Sequence, residues 1–191
     1  MSESEDLVGG LLDDARERMH KCVEVTRHEF SSVRTGRANP ALLDRVVVDY
    51  YGTPTPLKQL ATISAPEARL LSIQAYDKSS IKAIEKGILE SDIGLTPSND
   101  GALIRLVLPE LTEERRKELV KVVRAIAEDG RVAIRNVRRD VMHHLREFKE
   151  EGEIGADDEH RAEGELQKVT DARVGELDEL LKVKEEEILE V

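Results

Sequence analysis

All six prolines of this 191-residue chain lie between residues 40 and 109. Proline has no amide hydrogen and clashes with the preceding turn, so it breaks the interior of a helix. The segments before residue 40 and after residue 109 are therefore free to form long helices, whereas the middle segment is not. The three tyrosines, Tyr50, Tyr51 and Tyr76, also lie in the middle segment.

Both flanks have the apolar spacing of amphipathic helices. Apolar residues recur three and four positions apart over 7–34, and again from Thr112, a possible cap, to about residue 150. Gly130 lies inside the second helix and costs up to about 1 kcal/mol relative to alanine, which permits a bend. Asp157 is the expected cap of a third helix. Because one such helix cannot bury its own apolar stripe, we expect the three to pack together.

The middle segment has the pattern of a mixed sheet and helix. Alternating apolar residues predict strands at 45–50, 60–64, 70–76 and 102–108, and helical spacing predicts a helix over 79–91. The predicted fold class is α+β with two domains. A long three-helix bundle comprises residues 1–35 and 111–191, and a small β/α/β domain, residues 36–110, is inserted between its first and second helices.

The insertion requires two chain crossings, near 34–40 and 108–111. A glycine in one crossing and a proline in the other favour a hinge there. The predicted hinge residues are Arg34, Thr35, Gly36, Arg37, Pro109 and Glu110.

Positive charge is concentrated on the second long helix. The whole chain has a net charge of −11, yet residues 111–149 contain 11 basic and 7 acidic residues, a net charge of +4. At about 100° per residue, one face of this helix collects most of the cations, and we call it the basic stripe. The stripe consists of Lys117, Arg124, Arg131, Arg135 and Arg138, with Lys121 and Arg139 beside them.

Two interpretations of the basic stripe remain open. It can be an ordinary solvated face whose arginines pair with acidic residues of the third helix. It can also be an RNA contact, because the planar arginine fork binds a phosphate at two points. Aromatic residues make up only 3% of the chain, which argues against modules that stack bases on aromatic rings.

The sequence contains no arrangement typical of an enzyme. The five histidines are scattered, and His143 with Glu147 supplies too few ligands for a metal. Cys22 is the single cysteine, so an internal disulfide is impossible. It falls on an apolar stripe, which favours a buried core position over a catalytic nucleophile. There is no glycine-rich phosphate loop with a lysine. We therefore predict no catalytic residue, no metal and no cofactor.

The start of the chain and its hydropathy bear on location. The first residues, MSESEDLVGG, are acidic and lack the features of a signal peptide. No run of apolar residues is long enough to span a bilayer. We expect a cytoplasmic protein that does not contact a membrane.

Four stretches resemble the bacterial ribosome recycling factor family, in the same order and across nearly the whole chain. They are RTGRANP at 34–40, DYYGTPTPL at 49–57, LTEERRK at 111–117 and RNVRRD at 135–140. The resemblance implies an L-shaped, tRNA-like molecule whose bundle binds ribosomal RNA of the large subunit across the A and P sites. It also implies that the monomeric factor works with elongation factor G and its GTP hydrolysis. Together they would split the post-termination ribosome into subunits and promote release of mRNA and tRNA.

The stripe and the resemblance together predict the residues that contact RNA. In the family, positions matching Arg135 and Arg138 belong to the RNA-contacting face, and Arg116 matches another basic position. The predicted nucleic-acid-binding residues are Arg116, Lys117, Arg124, Arg131, Arg135, Arg138 and Arg139. The alternative is a helical protein-binding scaffold that makes no RNA contact.

Overall fold

A computed structural model describes residues 3–190 of the chain, and for Glu3 it describes the backbone alone. Three long helices form the flanks: α1 (Glu3–Ser32), α4 (Glu113–Glu150) and α5 (Ala156–Leu189). The inserted segment contains two shorter helices, α2 (Leu57–Leu60) and α3 (Ile81–Leu89), and the strands. The predicted α+β fold, a long three-helix bundle with a small inserted domain, is confirmed.

The three long helices bury one continuous apolar core. Met19 of α1, Ile134 of α4 and Leu166 of α5 are each fully buried in it. Burying a side chain of this size stabilises the fold by about 1.5–3 kcal/mol. The core includes Leu12, Ala15, Val23, Val137, Val141, Leu145, Ile154, Ala162 and Leu177. The apolar spacing identified the buried faces of α1 and α4, whereas Ala172, expected inside the third helix, is exposed.

Helix α4 continues without interruption through Gly130, where the sequence suggested a possible bend. Gly130 is buried, and a Cβ atom added there would collide with Thr26 Oγ1 of α1 and lie 3.0 Å from Leu177 Cδ1 of α5. Gly130 thus permits close packing of the three helices. Its role is to omit a side chain, not to weaken the helix.

The ends of α4 and α5 follow from local hydrogen bonding. Thr112 Oγ1 accepts the Arg115 amide at 3.2 Å, which confirms the predicted cap of α4. At the other end, Gly152 has φ of 77° and Glu153 donates its amide to Phe148 O at 2.9 Å, as in a Schellman motif. The expected cap Asp157 instead lies in the first turn of α5, since that helix begins at Ala156.

The inserted domain contains one hairpin and one four-stranded antiparallel sheet. Strands β1 (Val47–Tyr50) and β2 (Thr53–Pro56) form the hairpin. The sheet has the order β3-β4-β6-β5, built from β3 (Ala61–Glu67), β4 (Leu70–Ala75), β5 (Pro97–Asn99) and β6 (Leu103–Val107). Helix α3 supplies Ile84 and Ile88 to the apolar core of this domain.

The strands β2 and β5 were missed by the sequence analysis. Both contain proline, which removes a ladder donor and lowers the strand signal. Each pairs with a single neighbour, β2 with β1 and β5 with β6, so each is an edge strand. Proline is tolerated at such edges because its nitrogen has no partner to bond there.

The chain divides into two compact units. The first contains residues up to Val33 and Lys117–Glu186, and the second contains Arg34–Arg116 with the residues from Glu187 onward. The two borders on the long helices therefore lie a few residues inside the predicted bundle segments. The predicted roles of the two domains, RNA binding for the bundle and contact with the elongation factor for the inserted domain, stay predictions.

Candidate nucleic-acid interface

Helix α4 positions most of the predicted RNA-binding side chains on the first unit. Its buried positions, such as Ile134 and Val137, hold it against the other two helices. The arginines at 135, 138 and 139 follow these positions by one or two residues and so emerge beside the buried stripe. The rigid helix fixes their spacing along the surface.

Two members of the basic stripe are engaged by carboxylates of α5. Arg124 Nε donates to Glu185 Oε1 at 2.5 Å, and this hydrogen bond raises the pKa of the guanidinium. Arg131 donates through Nε and Nη2 to Asp178 Oδ1 at 3.0 and 2.5 Å. The Arg131 side chain is only 19% exposed. Arg124 and Arg131 therefore pair with acidic residues of the third helix, as the first interpretation of the basic stripe expects.

The remaining stripe arginines converge on an open surface depression that we call the arginine cleft. It is lined by Arg135, Arg138, Arg139, Met142, His143 and Arg146. Arg135 is 55% exposed and donates through Nη1 to Glu128 Oε1 at 3.1 Å. Arg139 donates to Asn136 Oδ1. Within residues 3–190, Arg138 and Arg146 form no ion pair, and Arg138 Nε is buried without a hydrogen-bond partner.

Asp140, the one acidic residue within 131–140, is paired with an arginine of α1. Asp140 Oδ2 lies 2.7 Å from Arg18 Nη2 of α1. This hydrogen bond, with the nearby charges of Arg18 and the two histidines, lowers the pKa of Asp140. The Asp140 carboxylate is therefore paired with Arg18 of α1 and with no arginine of the cleft among the described residues.

The last two predicted RNA-binding residues lie near the start of α4. Arg116 belongs to the second compact unit, and its Nε is buried without a hydrogen-bond partner among the described residues. Lys117 is exposed and belongs to the first unit. Within the first unit, the predicted residues therefore begin at Lys117.

Arg146 and His143 are cleft residues that the sequence analysis did not select. Arg146 lies about 60° round the helix from Arg131 at 100° per residue, within the arc of the basic stripe. Extending the helical projection to the end of α4 would have found it. His143 also lines the cleft, and its Nε2 lies 3.3 Å from Glu147 Oε1.

Most of the predicted hinge residues meet at one site within the second unit. Arg34, Thr35, Gly36, Arg37 and Pro109 line a single open cavity together with Leu111. Gly36 has φ of 77°, and a Cβ atom there would lie 3.0 Å from Leu111 Cγ. Glu110 pairs with Arg69 Nη2 at 2.8 Å. Position 36 therefore favours glycine on both conformational and steric grounds.

The other titratable side chains with a bearing on function are the potential metal ligands and Cys22. Among the described residues, no cluster of three or more His, Cys, Asp or Glu side chains is arranged to hold a metal ion. Cys22 is half-buried, and that burial raises the pKa of its thiol, which disfavours the nucleophilic thiolate. None of the described helices is long and apolar enough to cross a membrane.

The fold defines a class of α+β protein in which a small sheet domain is inserted between the helices of a long three-helix bundle. The sequence profile described as Ribosome recycling factor matches residues 26–189. The chain belongs to the ribosome recycling factor family.

Relatives and solved structures agree with that assignment. The ribosome-recycling factor of Rubrobacter xylanophilus is 57% identical over 180 residues, covering 94% of this chain and 97% of that protein. The one from Desulforamulus reducens is 55% identical over 185 residues, 97% and 100% of the two chains. A solution structure of ribosome recycling factor aligns over both whole chains with TM-score 0.70 and 42% identity.

A second solved structure places a relative in a larger assembly. It describes the T. thermophilus ribosome recycling factor and the E. coli elongation factor G bound to the E. coli post-termination complex. That factor is 48% identical to this chain, with TM-score 0.63, and the match covers 95% of this chain and 98% of that one.

Proposed function

We propose that this chain binds the post-termination ribosome and, together with elongation factor G and GTP hydrolysis by that partner, splits it into subunits. Messenger RNA and tRNA are released in the process. Family membership supports the proposal, as does the relative of 48% identity that is described on the post-termination complex with elongation factor G. The chain acts without catalysing a reaction of its own.

The arginine cleft is the observation that carries the proposed contact with ribosomal RNA of the large subunit at the A and P sites. Arg138 and Arg146, unpaired within residues 3–190, and the exposed Arg135 and Arg139 lie together on a chain of net charge −11. Arginine binds phosphate through its planar fork and recognises the backbone without reading bases. The acidic remainder of the protein repels RNA elsewhere, so binding requires this face.

The bundle is proposed to be an anchor and the inserted domain the part on which the elongation factor acts. A continuous core through α1, α4 and α5 makes the bundle stiff enough to transmit force. Gly36, with its positive φ, and Pro109 mark the proposed hinge between the two domains. Work done by the partner would then be applied through the anchored bundle to contacts that join the ribosomal subunits.

A paired charge-reversal experiment tests the RNA contact. Arg135→Glu combined with Arg138→Glu is expected to abolish ribosome binding and subunit splitting while leaving helicity and the melting temperature unchanged. The control is Lys168→Glu combined with Lys182→Glu, which makes the same charge change on α5. The two double variants are compared in a splitting assay with purified post-termination ribosomes and elongation factor G.

The outcomes separate the proposal from a protein-binding scaffold. If the α4 variant binds and splits ribosomes as well as the α5 control does, the arginine cleft does not contact RNA. The scaffold interpretation, in which the stripe arginines serve only to hold α5, would then stand. Equal loss in both variants would show that overall charge matters and the cleft does not.

A further inference from the structure

A continuous chain of hydrogen bonds connects α5 to the arginine cleft. Asp178 of α5 accepts two hydrogen bonds from Arg131, through Nε at 3.0 Å and Nη2 at 2.5 Å. The remaining nitrogen of Arg131, Nη1, donates to Glu128 Oε2 at 3.0 Å. The other oxygen of Glu128, Oε1, accepts from Arg135 Nη1 at 3.1 Å. Arg135 thus stands at the end of an ordered series that begins on a different helix.

The two arginines in this series differ in which guanidinium nitrogens remain available to bind a phosphate. Arg131 uses all three of its guanidinium nitrogens and is only 19% exposed. Its Nε and Nη2 edge is taken by Asp178, so a phosphate could bind that edge only by displacing the carboxylate. Arg135 is 55% exposed and, within the described residues, uses Nη1 alone. Its Nε and Nη2 edge, the one that grips a phosphate at two points, stays available.

We propose that Glu128 is a positioning residue that orients Arg135 for phosphate, and that Arg131 is a brace and not an RNA ligand. The proposal rests on the proposed contact between the arginine cleft and RNA. It changes the expectation for Arg131, which the basic stripe had placed among the RNA-binding residues. Asp178 anchors the brace to α5, so the packing of two helices sets the orientation of Arg135.

The physical basis is the entropy of a long side chain. An arginine that is free in solution loses rotamer freedom when it binds, and each such side chain weakens association several-fold. Holding Arg135 through Nη1 in the free protein removes part of that loss. Both oxygens of Glu128 are needed, one for each arginine, and their hydrogen bonds lower the pKa of the Glu128 carboxyl.

A carboxylate beside an RNA-binding arginine also repels phosphate, so a useful experiment must separate orientation from charge. Glu128→Gln and Glu128→Ala remove the same charge, but glutamine keeps an oxygen that can accept from Arg135. We expect the alanine variant to bind post-termination ribosomes about three- to tenfold more weakly than the glutamine variant at the same salt concentration. In an Arg135→Ala background the difference between the two should vanish, as a double-mutant cycle requires.

Neighbouring carboxylates provide matched controls. Asp129 is exposed and follows Glu128 in the same helix, so Asp129→Asn and Asp129→Ala should bind ribosomes equally well. On α5, Asp178→Ala should bind more weakly than Asp178→Asn, whereas Glu179→Ala and Glu179→Gln should not differ. Melting curves of all variants would reveal any that fail to fold.

Two outcomes would overturn the proposal. If Glu128→Gln and Glu128→Ala bind equally well, Glu128 does not orient Arg135; equal tightening would show that it competes with phosphate. If their difference persists in the Arg135→Ala background, it does not act through Arg135. Failure of the RNA contact itself is distinguishable, because Arg135→Ala alone would then leave ribosome binding unchanged.

Discussion

The backbone of Gly130 in α4 lies directly against the side chain of Thr26 in α1, with no room between them for a Cβ atom. Thr26 is 2% exposed, and its hydroxyl donates to Cys22 O at 3.0 Å within its own helix. The threonine therefore cannot rotate away without losing that hydrogen bond. The close packing of α1 against α4 at this point depends on this pair.

Substitution of Gly130 tests the packing directly. We expect Gly130→Ala to lower the free energy of unfolding by up to about 2 kcal/mol, because overpacking a core costs about 1–3 kcal/mol and the gain in helix propensity is only about 1 kcal/mol. Gly175→Ala in α5, where nothing lies within 4 Å of the added atom, should raise the free energy of unfolding instead. Urea unfolding of both variants measures the difference, and a shift in the same direction would contradict the packing role.

Gly36, which we propose as a hinge residue, gives a second prediction. Alanine is disfavoured there both by the φ of 77° and by contact, because its Cβ atom would lie 3.0 Å from Leu111 Cγ. We expect Gly36→Ala to slow subunit splitting while leaving ribosome binding largely intact, since the bundle is unchanged. Gly94→Ala also has positive φ but open space around it, and it serves as the control. Equal loss of binding and splitting in Gly36→Ala would indicate misfolding.

The arginines of α4 should differ in their contribution to salt dependence. Arg146 has no ion pair within residues 3–190, whereas Arg124 is bound to Glu185. We expect Arg146→Gln to reduce the slope of log affinity against log salt by about one, the value for one phosphate contact. Arg124→Gln should reduce it less. Ribosome-binding titrations at several salt concentrations measure both slopes, and equal slopes would show that pairing with α5 does not withdraw Arg124.

The Arg18–Asp140 pair predicts a component of acid sensitivity. The hydrogen bond from Arg18 lowers the pKa of Asp140 below its ordinary value of 3.8. A carboxyl whose folded pKa is lowered stabilises the protein above the unfolded pKa, and this contribution is lost as the pH falls through the folded value. The pair is half exposed, so the effect is small.

The measurement compares wild type with Asp140→Asn. At pH 7 the wild type should be the more stable of the two, and the difference should shrink as the pH is lowered below 3.8. Asp171→Asn is a suitable reference, because Asp171 is exposed on α5 and its carboxylate accepts from the neutral Gln167 at 2.7 Å. A difference between wild type and Asp140→Asn that stays constant down to about pH 2 would show that Asp140 does not contribute through its charge.

Local patterns in the sequence determined the class of fold and much of the secondary structure. The confinement of the prolines to residues 40–109 predicted the insertion, and apolar spacing predicted three helices close to their observed bounds. Thr112 was identified as a cap because capping depends on residues three positions apart. The strands β2 and β5 were missed because proline weakens a strand pattern, and only pairing with a neighbour makes such a segment a strand.

Only the tertiary structure decided which arginines of the basic stripe are available. Helical periodicity places Arg131 and Arg138 on one side of α4, but it says nothing about the residues opposite them. Arg131 meets Asp178, and Asp140 meets Arg18, because packing of the bundle core sets how far each helix is displaced along its neighbours. The sequence suggested that Gly130 permits a bend in α4, whereas the packing of the bundle places it in close contact with Thr26. Contacts between residues far apart in sequence depend on that displacement, and no local pattern encodes it.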